Sequence, residues 1–64
     1  MQTDEATLRK TVAKNIAAYR KAHHDTQLDL ATKLNYSDKS VSKWERGEGL
    51  PDVYILAQIA QLYG

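Results

Sequence analysis

The chain has 64 residues, with nine lysine and arginine residues against eight aspartate and glutamate residues and a net charge of +1. It has no cysteine, which excludes disulfides and cysteine-based zinc sites, and no apolar run approaches the ~20 residues that span a bilayer. A chain of this length makes one small domain that buries only about 60% of its unfolded surface, and 42% hydrophobic residues predict that it is globular rather than disordered.

The N-terminal part of the chain predicts one amphipathic helix. Its first five residues lack the basic and then apolar pattern of a signal peptide, so we expect a soluble cytoplasmic protein without membrane contact. Over about residues 6–22, apolar side chains recur every three or four positions, as they do along one face of a helix. These positions are Leu8, Val12, Ile16 and Tyr19. Thr3 or Asp4 is the predicted N-cap of this helix.

Two short helices are predicted next, at about residues 27–34 and 38–46. The hydroxyl of Thr26 can cap the first of them, and Asp29 stands three residues on, where a capping box needs its second partner. Ser37 can cap the second helix in the same way. Only a tight turn separates the two helices.

The turn and the apolar pattern of this pair predict a helix-turn-helix. Asn35 opens the turn, where we expect a positive φ because asparagine is the usual substitute for glycine there. Ala31 lies where the two helices cross, and a longer side chain would push them apart. The other residues that can face a shared interior are Leu30, Leu34, Tyr36, Val41 and Trp44. Such a motif holds its second helix outside the protein body, where it can enter a DNA major groove.

The last predicted helix spans about residues 52–63 and follows a loop that ends at Pro51, a residue suited to a helix start. Its predicted buried residues are Val53, Leu56, Ala57, Ile59 and Ala60. No segment shows the alternation of apolar and polar residues that a strand needs. The predicted fold is therefore all-α, a compact single domain of four helices over residues 1–64. Gly64 is a predicted helix C-cap, so we expect the chain to end between elements, as the N-terminal part of a longer protein would.

Charge is distributed unevenly along the chain. Eight of the nine basic residues lie within 9–43, with only three of the eight acidic residues, so the middle is basic and both ends are acidic. This distribution is compatible with one positive face that binds nucleic acid. An ordinary solvated surface of mixed charge is the alternative, and charge alone does not separate the two.

A set of residues between Thr26 and Pro51 carries a family resemblance. They are Thr26-Gln27, Leu30-Ala31, Lys33-Leu34, Ser37, Val41-Ser42-Lys43-Trp44-Glu45-Arg46-Gly47 and Pro51. In this pattern, over roughly 12–64, the chain is similar to the lambda-repressor-like helix-turn-helix domain of the Cro/cI (XRE) family. The resemblance implies a bacterial or phage transcriptional regulator, in a family whose members are mostly dimeric and normally have five helices. The chain departs from the family pattern at His24, Asp25 and Asn35.

The motif and the resemblance together assign predicted DNA contacts. With Val41 and Trp44 facing the interior, the opposite side of the third helix is expected to read bases, where a lysine favours guanine O6 and N7. The predicted base-reading residues are Asp38, Lys39, Ser42 and Lys43, and the predicted phosphate contacts are Gln27, Ser37, Ser40 and Arg46. The alternatives are that Asp38 only complements the start of its helix and that Ser37 is only an N-cap.

Other residues are predicted to be structural. The resemblance implies that Arg20 and Glu45 form a partly buried ion pair between the first and third helices. The predicted core is Val12, Ile16, Tyr19, Leu30, Ala31, Leu34, Val41, Trp44, Leu56 and Ile59. His23 and His24 are adjacent and would point about 100° apart on a helix, so they are not a predicted metal site. No nucleophile or pocket accompanies them, and we expect neither a cofactor nor an enzyme.

Two functions from different classes remain as hypotheses. The first is sequence-specific binding of a double-stranded DNA operator by a homodimeric regulator, for which we favour the role of a repressor. Its third helix would enter the major groove, and the two half-sites of the operator would lie about one helical turn apart. The second is a protein-interaction module of the same fold, anti-repressor or antitoxin-like. The second is slightly favoured by the modest net charge, by Asp38 at the start of the third helix and by Leu28, an apolar residue without a predicted place in the core.

Overall fold

A computed structural model of the protein describes residues 4–64, which form four α-helices. These are α1 (Glu5–Ala22), α2 (Gln27–Leu34), α3 (Asp38–Glu45) and α4 (Val53–Tyr63). The all-α prediction is confirmed, since no strand occurs within the described residues. Every helix boundary lies about one residue or less from its prediction, because local capping signals set the helix starts. None of the four helices combines the length and apolar composition that a membrane span requires.

Each helix begins at a side chain that accepts a hydrogen bond from a backbone N–H three residues on. The four N-caps are Asp4, Thr26, Ser37 and Asp52. At Thr26 the capping box is complete, because the Asp29 carboxylate also accepts from the Thr26 backbone N–H at 2.8 Å. The alternative first cap, Thr3, lies outside the described residues. The fourth cap is Asp52, so α4 begins one residue later than predicted.

Among the residues that the structure describes, two other than glycine adopt a left-handed backbone conformation. Asn35 ends α2 with φ of 63°, as predicted for the turn of the motif. His24, in the loop between α1 and α2, has φ of 60°. Asparagine and histidine tolerate this region better than most side chains, so both turns are compact without glycine.

The core lies where α3 is packed on α1 and α2. Leu30, Ala31 and Val41 are fully buried at its centre. The whole cluster consists of Ile16, Leu30, Ala31, Leu34, Val41, Trp44, Ile55, Ile59 and Tyr63, with Val12 partly buried against it. Leu56 is half-buried. The core that holds the helix-turn-helix together is therefore nearly the predicted one.

The prediction that Tyr19 is buried is wrong, because 53% of its side chain is exposed. The buried face of α1 consists of Ala13, Ile16 and Arg20. Successive helix residues are about 100° apart, which places Tyr19 and Leu8 beside this face rather than on it. The hydrophobic pattern was right for Ile16 and Val12 and wrong for Leu8 and Tyr19, because Arg20 is buried where an apolar side chain was expected.

The predicted buried face of α4 is also partly wrong. Val53 is 82% exposed, and Ala57 and Ala60 are exposed as well. The helix instead buries Ile55, Ile59 and Tyr63. Because apolar residues surround α4 on all sides, periodicity could not select the face that meets the rest of the domain.

Polar contacts attach the end of α4 to the loop between α1 and α2. The Tyr63 hydroxyl donates to Asp25 Oδ2 at 2.9 Å, and Lys33 Nζ donates to the same oxygen at 2.7 Å. These bonds from Lys33 and Tyr63 hold the pKa of the Asp25 carboxyl below its ordinary value. The His23 ring lies 4.7 Å from the Tyr63 ring between centroids. Within residues 4–64, no three histidine or acidic side chains are grouped as a metal site would need.

Candidate nucleic-acid interface

One side of α3 is packed in the core, and its outer side is exposed to solvent. Val41 and Trp44 anchor the helix in the core with 0% and 6% of their surface exposed. Asp38, Lys39 and Lys43 consequently lie on the opposite, exposed side. The predicted base-reading residue Ser42 is half-buried beside them.

A shallow groove of about 490 Å³ runs along this face. Its lining residues are Gln27, Asp38, Lys39, Ser42, Lys43, Arg46 and Glu48. The groove therefore brings together all four predicted base-reading residues and two of the four predicted phosphate contacts. Glu48 is the member that the sequence interpretation missed, although its position two residues after Arg46 places opposite charges close together at the end of α3.

The other two predicted phosphate contacts lie outside the groove. Ser37 Oγ accepts the α3 capping bond from the Ser40 backbone N–H at 3.2 Å and lies 3.1 Å from Ser40 Oγ. The two hydroxyls are thus within hydrogen-bond distance of each other. Ser40 lines a separate depression with Trp44 and Leu50. The structure places Ser37 in its capping role, and phosphate contact by either serine stays a prediction.

A buried ion pair joins α3 to α1. Arg20 Nε donates to Glu45 Oε2 at 2.7 Å and Arg20 Nη2 donates to Glu45 Oε1 at 2.8 Å, which makes the pair bidentate. Arg20 Nη1 donates to the Asp25 carbonyl oxygen at 2.9 Å. The two side chains are only 11% and 7% exposed. This is the pair that the resemblance implied.

Gln27 joins the same network. Its Nε2 donates to Glu45 Oε1 at 3.0 Å, which holds the first residue of α2 against the end of α3 at the rim of the groove. Burial raises the pKa of the Glu45 carboxyl, but the hydrogen bonds from Arg20 and Gln27 outweigh it and leave this pKa below its ordinary value. The carboxylate is therefore ionised at neutral pH and fixes the orientation of three helices.

Arg46 is engaged on both sides at the C-terminal end of α3. Its Nε and Nη2 donate to the two carboxylate oxygens of Glu48 at 3.0 and 3.1 Å, and its Nη1 donates to Ser42 Oγ. The hydrogen bonds and charge of Arg46 lower the pKa of Glu48. A predicted phosphate contact is thus held by an acidic neighbour in the same groove.

The comparison with known families agrees with this architecture. The sequence model of a family described as helix-turn-helix matches residues 16–64, which is most of the chain. The chain belongs to the helix-turn-helix family. This family is of the Cro/cI (XRE) type, so the lambda-repressor-like resemblance is confirmed. No solved structure matches the chain.

The helix-turn-helix match begins within α1 at Ile16 and includes α2, α3 and α4. The family consists of DNA-binding transcription regulators rather than enzymes. The protein is accordingly a DNA-binding regulator in its general class. The roles of individual side chains in the groove of α3 stay predictions.

Proposed function

We propose that the protein binds double-stranded DNA sequence-specifically, with α3 in the major groove, and acts as a repressor at an operator. The observation that carries this proposal is the pair Lys39 and Lys43, four residues apart and exposed on one face of a helix whose other face is buried. That spacing lets both ammonium groups approach one stretch of base edges.

The remaining groove residues fit the same binding mode. Ser42 can donate to or accept from a base, and Asp38 can accept from a cytosine amino group. Gln27 lies at the N-terminus of α2, where backbone N–H groups attract phosphate. Lys39, Lys43 and Arg46 are concentrated in one groove, which supports DNA binding despite the small net charge of the chain.

A protein-interaction module is the second candidate. Leu28 is 61% exposed on α2, and the Asp38 carboxylate lies at the start of α3, where it would repel a phosphate. Leu28 suits an apolar contact with a protein partner, and Asp38 disfavours DNA. An anti-repressor or antitoxin-like domain would use this surface without reading bases.

Selection of bound duplexes from a randomised DNA library, near physiological salt, tests the first candidate. We expect enrichment of a two-fold symmetric site with half-sites about one helical turn apart. Affinity for that site should fall steeply as salt rises, because each phosphate contact releases counterions. Folded protein that enriches no site, and whose binding to a protein partner responds little to salt, would support the interaction module instead.

A second copy of the chain is the partner that we propose for operator binding, and α4 is the proposed contact. The eleven residues of α4 include no acidic or basic side chain, although Val53 is 82% exposed. Beside it an apolar groove of about 420 Å³ separates α4 from α1, with Tyr19 and Ala60 among its lining residues. A two-fold contact uses the same surface patch on both copies, so a patch without charged side chains can pack against its copy without charge repulsion. From the resemblance to the Cro/cI (XRE) family, we also propose that the regulator is bacterial or phage-encoded and works at the nucleoid.

Introducing a charge at Ala60 should separate the two copies. Ala60→Arg would bring an unpaired guanidinium group from each copy into the uncharged contact, so we expect the dimer seen by sedimentation velocity to become a monomer. Binding to a symmetric site should weaken, while a half-site should bind as before. Ala18→Arg adds the same charge at an exposed residue of α1 outside the groove and should leave the dimer intact. A monomeric wild-type chain on the symmetric site would contradict the proposed contact.

A further inference from the structure

Glu48 occupies a place that DNA binding would be expected to leave to a phosphate. Both of its carboxylate oxygens accept from Arg46, at 3.0 and 3.1 Å, in the fork geometry that a phosphate would also adopt. The third guanidinium nitrogen of Arg46 donates to Ser42 Oγ. Every nitrogen of this guanidinium group is therefore already engaged inside the protein.

We propose that Glu48 is an internal competitor of the DNA backbone, which holds Arg46 and thereby lowers the affinity of the protein for DNA. This inference rests on the proposed function, and it identifies a residue that weakens DNA binding rather than one that contributes to it. Release of Arg46 from Glu48 would give the groove one more cation for phosphate. If Arg46 turned toward a phosphate, its bond to Ser42 Oγ would also break, which would free the hydroxyl of a predicted base-reading residue.

The exposure of the pair makes the competition reversible. The Arg46 and Glu48 side chains are 55% and 54% exposed, and such surface pairs contribute little to stability because water and salt screen them. A phosphate that reaches the groove can therefore displace Glu48. The buried pair of Arg20 and Glu45, at 11% and 7% exposure, cannot exchange in this way.

The charge of the groove points in the same direction. Lys39, Lys43 and Arg46 supply three positive charges, and Asp38 and Glu48 remove two of them. Glu48 lowers the attraction for the DNA backbone by its own charge and by its hold on Arg46. The second of these effects is the one that this inference predicts, and a variant of Arg46 can isolate it.

The test compares Glu48→Gln with Glu5→Gln on a mixed-sequence duplex by fluorescence anisotropy over a range of salt concentrations. Both variants remove one exposed carboxylate that pairs with an arginine, since Glu5 pairs with Arg9 at the start of α1. We expect Glu48→Gln to bind roughly 2- to 10-fold more tightly, with a salt slope steeper by about 0.9, as one additional phosphate contact would give. Glu5→Gln should match the wild type in both quantities.

The same pair of measurements in an Arg46→Gln background shows whether Glu48 acts through Arg46. We expect Glu48→Gln to lose most of its gain there, and the pKa of the Glu48 carboxyl, followed by NMR, to rise when Arg46 is replaced. An undiminished gain without Arg46 would overturn the inference, because Glu48 would then act only as a negative charge. Equal binding by the wild type and Glu48→Gln would overturn it as well.

Failure of the proposed function would look different from failure of this inference. If neither the wild type nor Glu48→Gln binds any duplex while circular dichroism shows both to be folded, DNA binding itself is wrong and the inference falls with it. If the wild type binds and Glu48→Gln gains nothing, DNA binding stands and only the role of Glu48 is rejected. Binding by Glu48→Gln alone would support the competition in its strongest form.

Discussion

Glu45→Ala is expected to lower the free energy of unfolding by about 3–5 kcal/mol, because it leaves the buried guanidinium of Arg20 without its partner. Arg20 is 9% exposed, and two of its three nitrogens donate to this carboxylate. Gln27 would lose its acceptor at the same time. Native domains have a total stability of roughly 5–15 kcal/mol, so this loss would remove a large share of the stability of a domain of 64 residues.

Urea unfolding followed by circular dichroism measures this loss. Glu5→Ala serves as the matched control, since it removes an exposed carboxylate that pairs with Arg9 on the surface of α1. Surface pairs of this kind contribute about 0–1 kcal/mol. A loss at Glu45 no larger than the loss at Glu5 would show that the buried pair does not hold α3 in place.

The same carboxylate makes the fold sensitive to acid. The pKa of Glu45 lies below its ordinary value of 4.5 in the folded state, so the unfolded chain takes up this proton at a higher pH than the folded chain does. The stabilisation by Glu45 is therefore complete at neutral pH and is lost as the pH falls from about 4.5 through the folded-state pKa. Wild-type stability should fall more over this range than that of Glu45→Ala, in which the group is absent.

Lys39→Ala and Lys43→Ala are expected to abolish preference for the selected site without unfolding the domain. A good side-chain contact to a base pair contributes about 1–3 kcal/mol of discrimination, which corresponds to roughly a 5- to 150-fold change in relative affinity. Both lysines are exposed, so the free energy of unfolding should change by no more than about 0.5 kcal/mol.

Library selection repeated with each variant checks this expectation. Lys14→Ala removes the same charge from an exposed position on α1 that does not line the groove of α3. We expect Lys14→Ala to keep the base preference of the wild type, with DNA affinity that is unchanged or lower. A lysine at this position could contact only phosphates, which carry no sequence information. Unchanged preference in both Lys39→Ala and Lys43→Ala would mean that α3 does not read the bases.

Features that depend on interactions between residues close in the sequence were predicted correctly. Features that depend on packing between helices were predicted less well. Helix starts were predictable since a cap such as Thr26 or Ser37 bonds to a backbone three residues away. The left-handed turn at Asn35 was predictable for the same local reason. Burial of Tyr19 and Val53 was predicted wrongly, because the face that a helix buries depends on which neighbours pack against it.

The candidate site shows the same division. The positions of Val41 and Trp44 in the sequence indicate which residues of α3 face outward. The sequence therefore predicted which residues of this helix line the groove. The contact between Arg46 and Glu48 crosses the end of α3 and depends on how the chain turns after Gly47, where φ is 75°. No periodic pattern contains that information, and the competing carboxylate was therefore missed.

The sequence by itself determined four helices, the caps of α2 and α3, the helix-turn-helix and the family to which the chain belongs. These follow from local backbone bonds and from apolar spacing within one motif. Only the tertiary structure decided which side of α4 is buried and how the groove of α3 is charged. It also showed that Arg20 takes a core position in place of Tyr19, since Glu45 from a helix distant in sequence neutralises it there. Burial and pairing are properties of surfaces that meet only after folding.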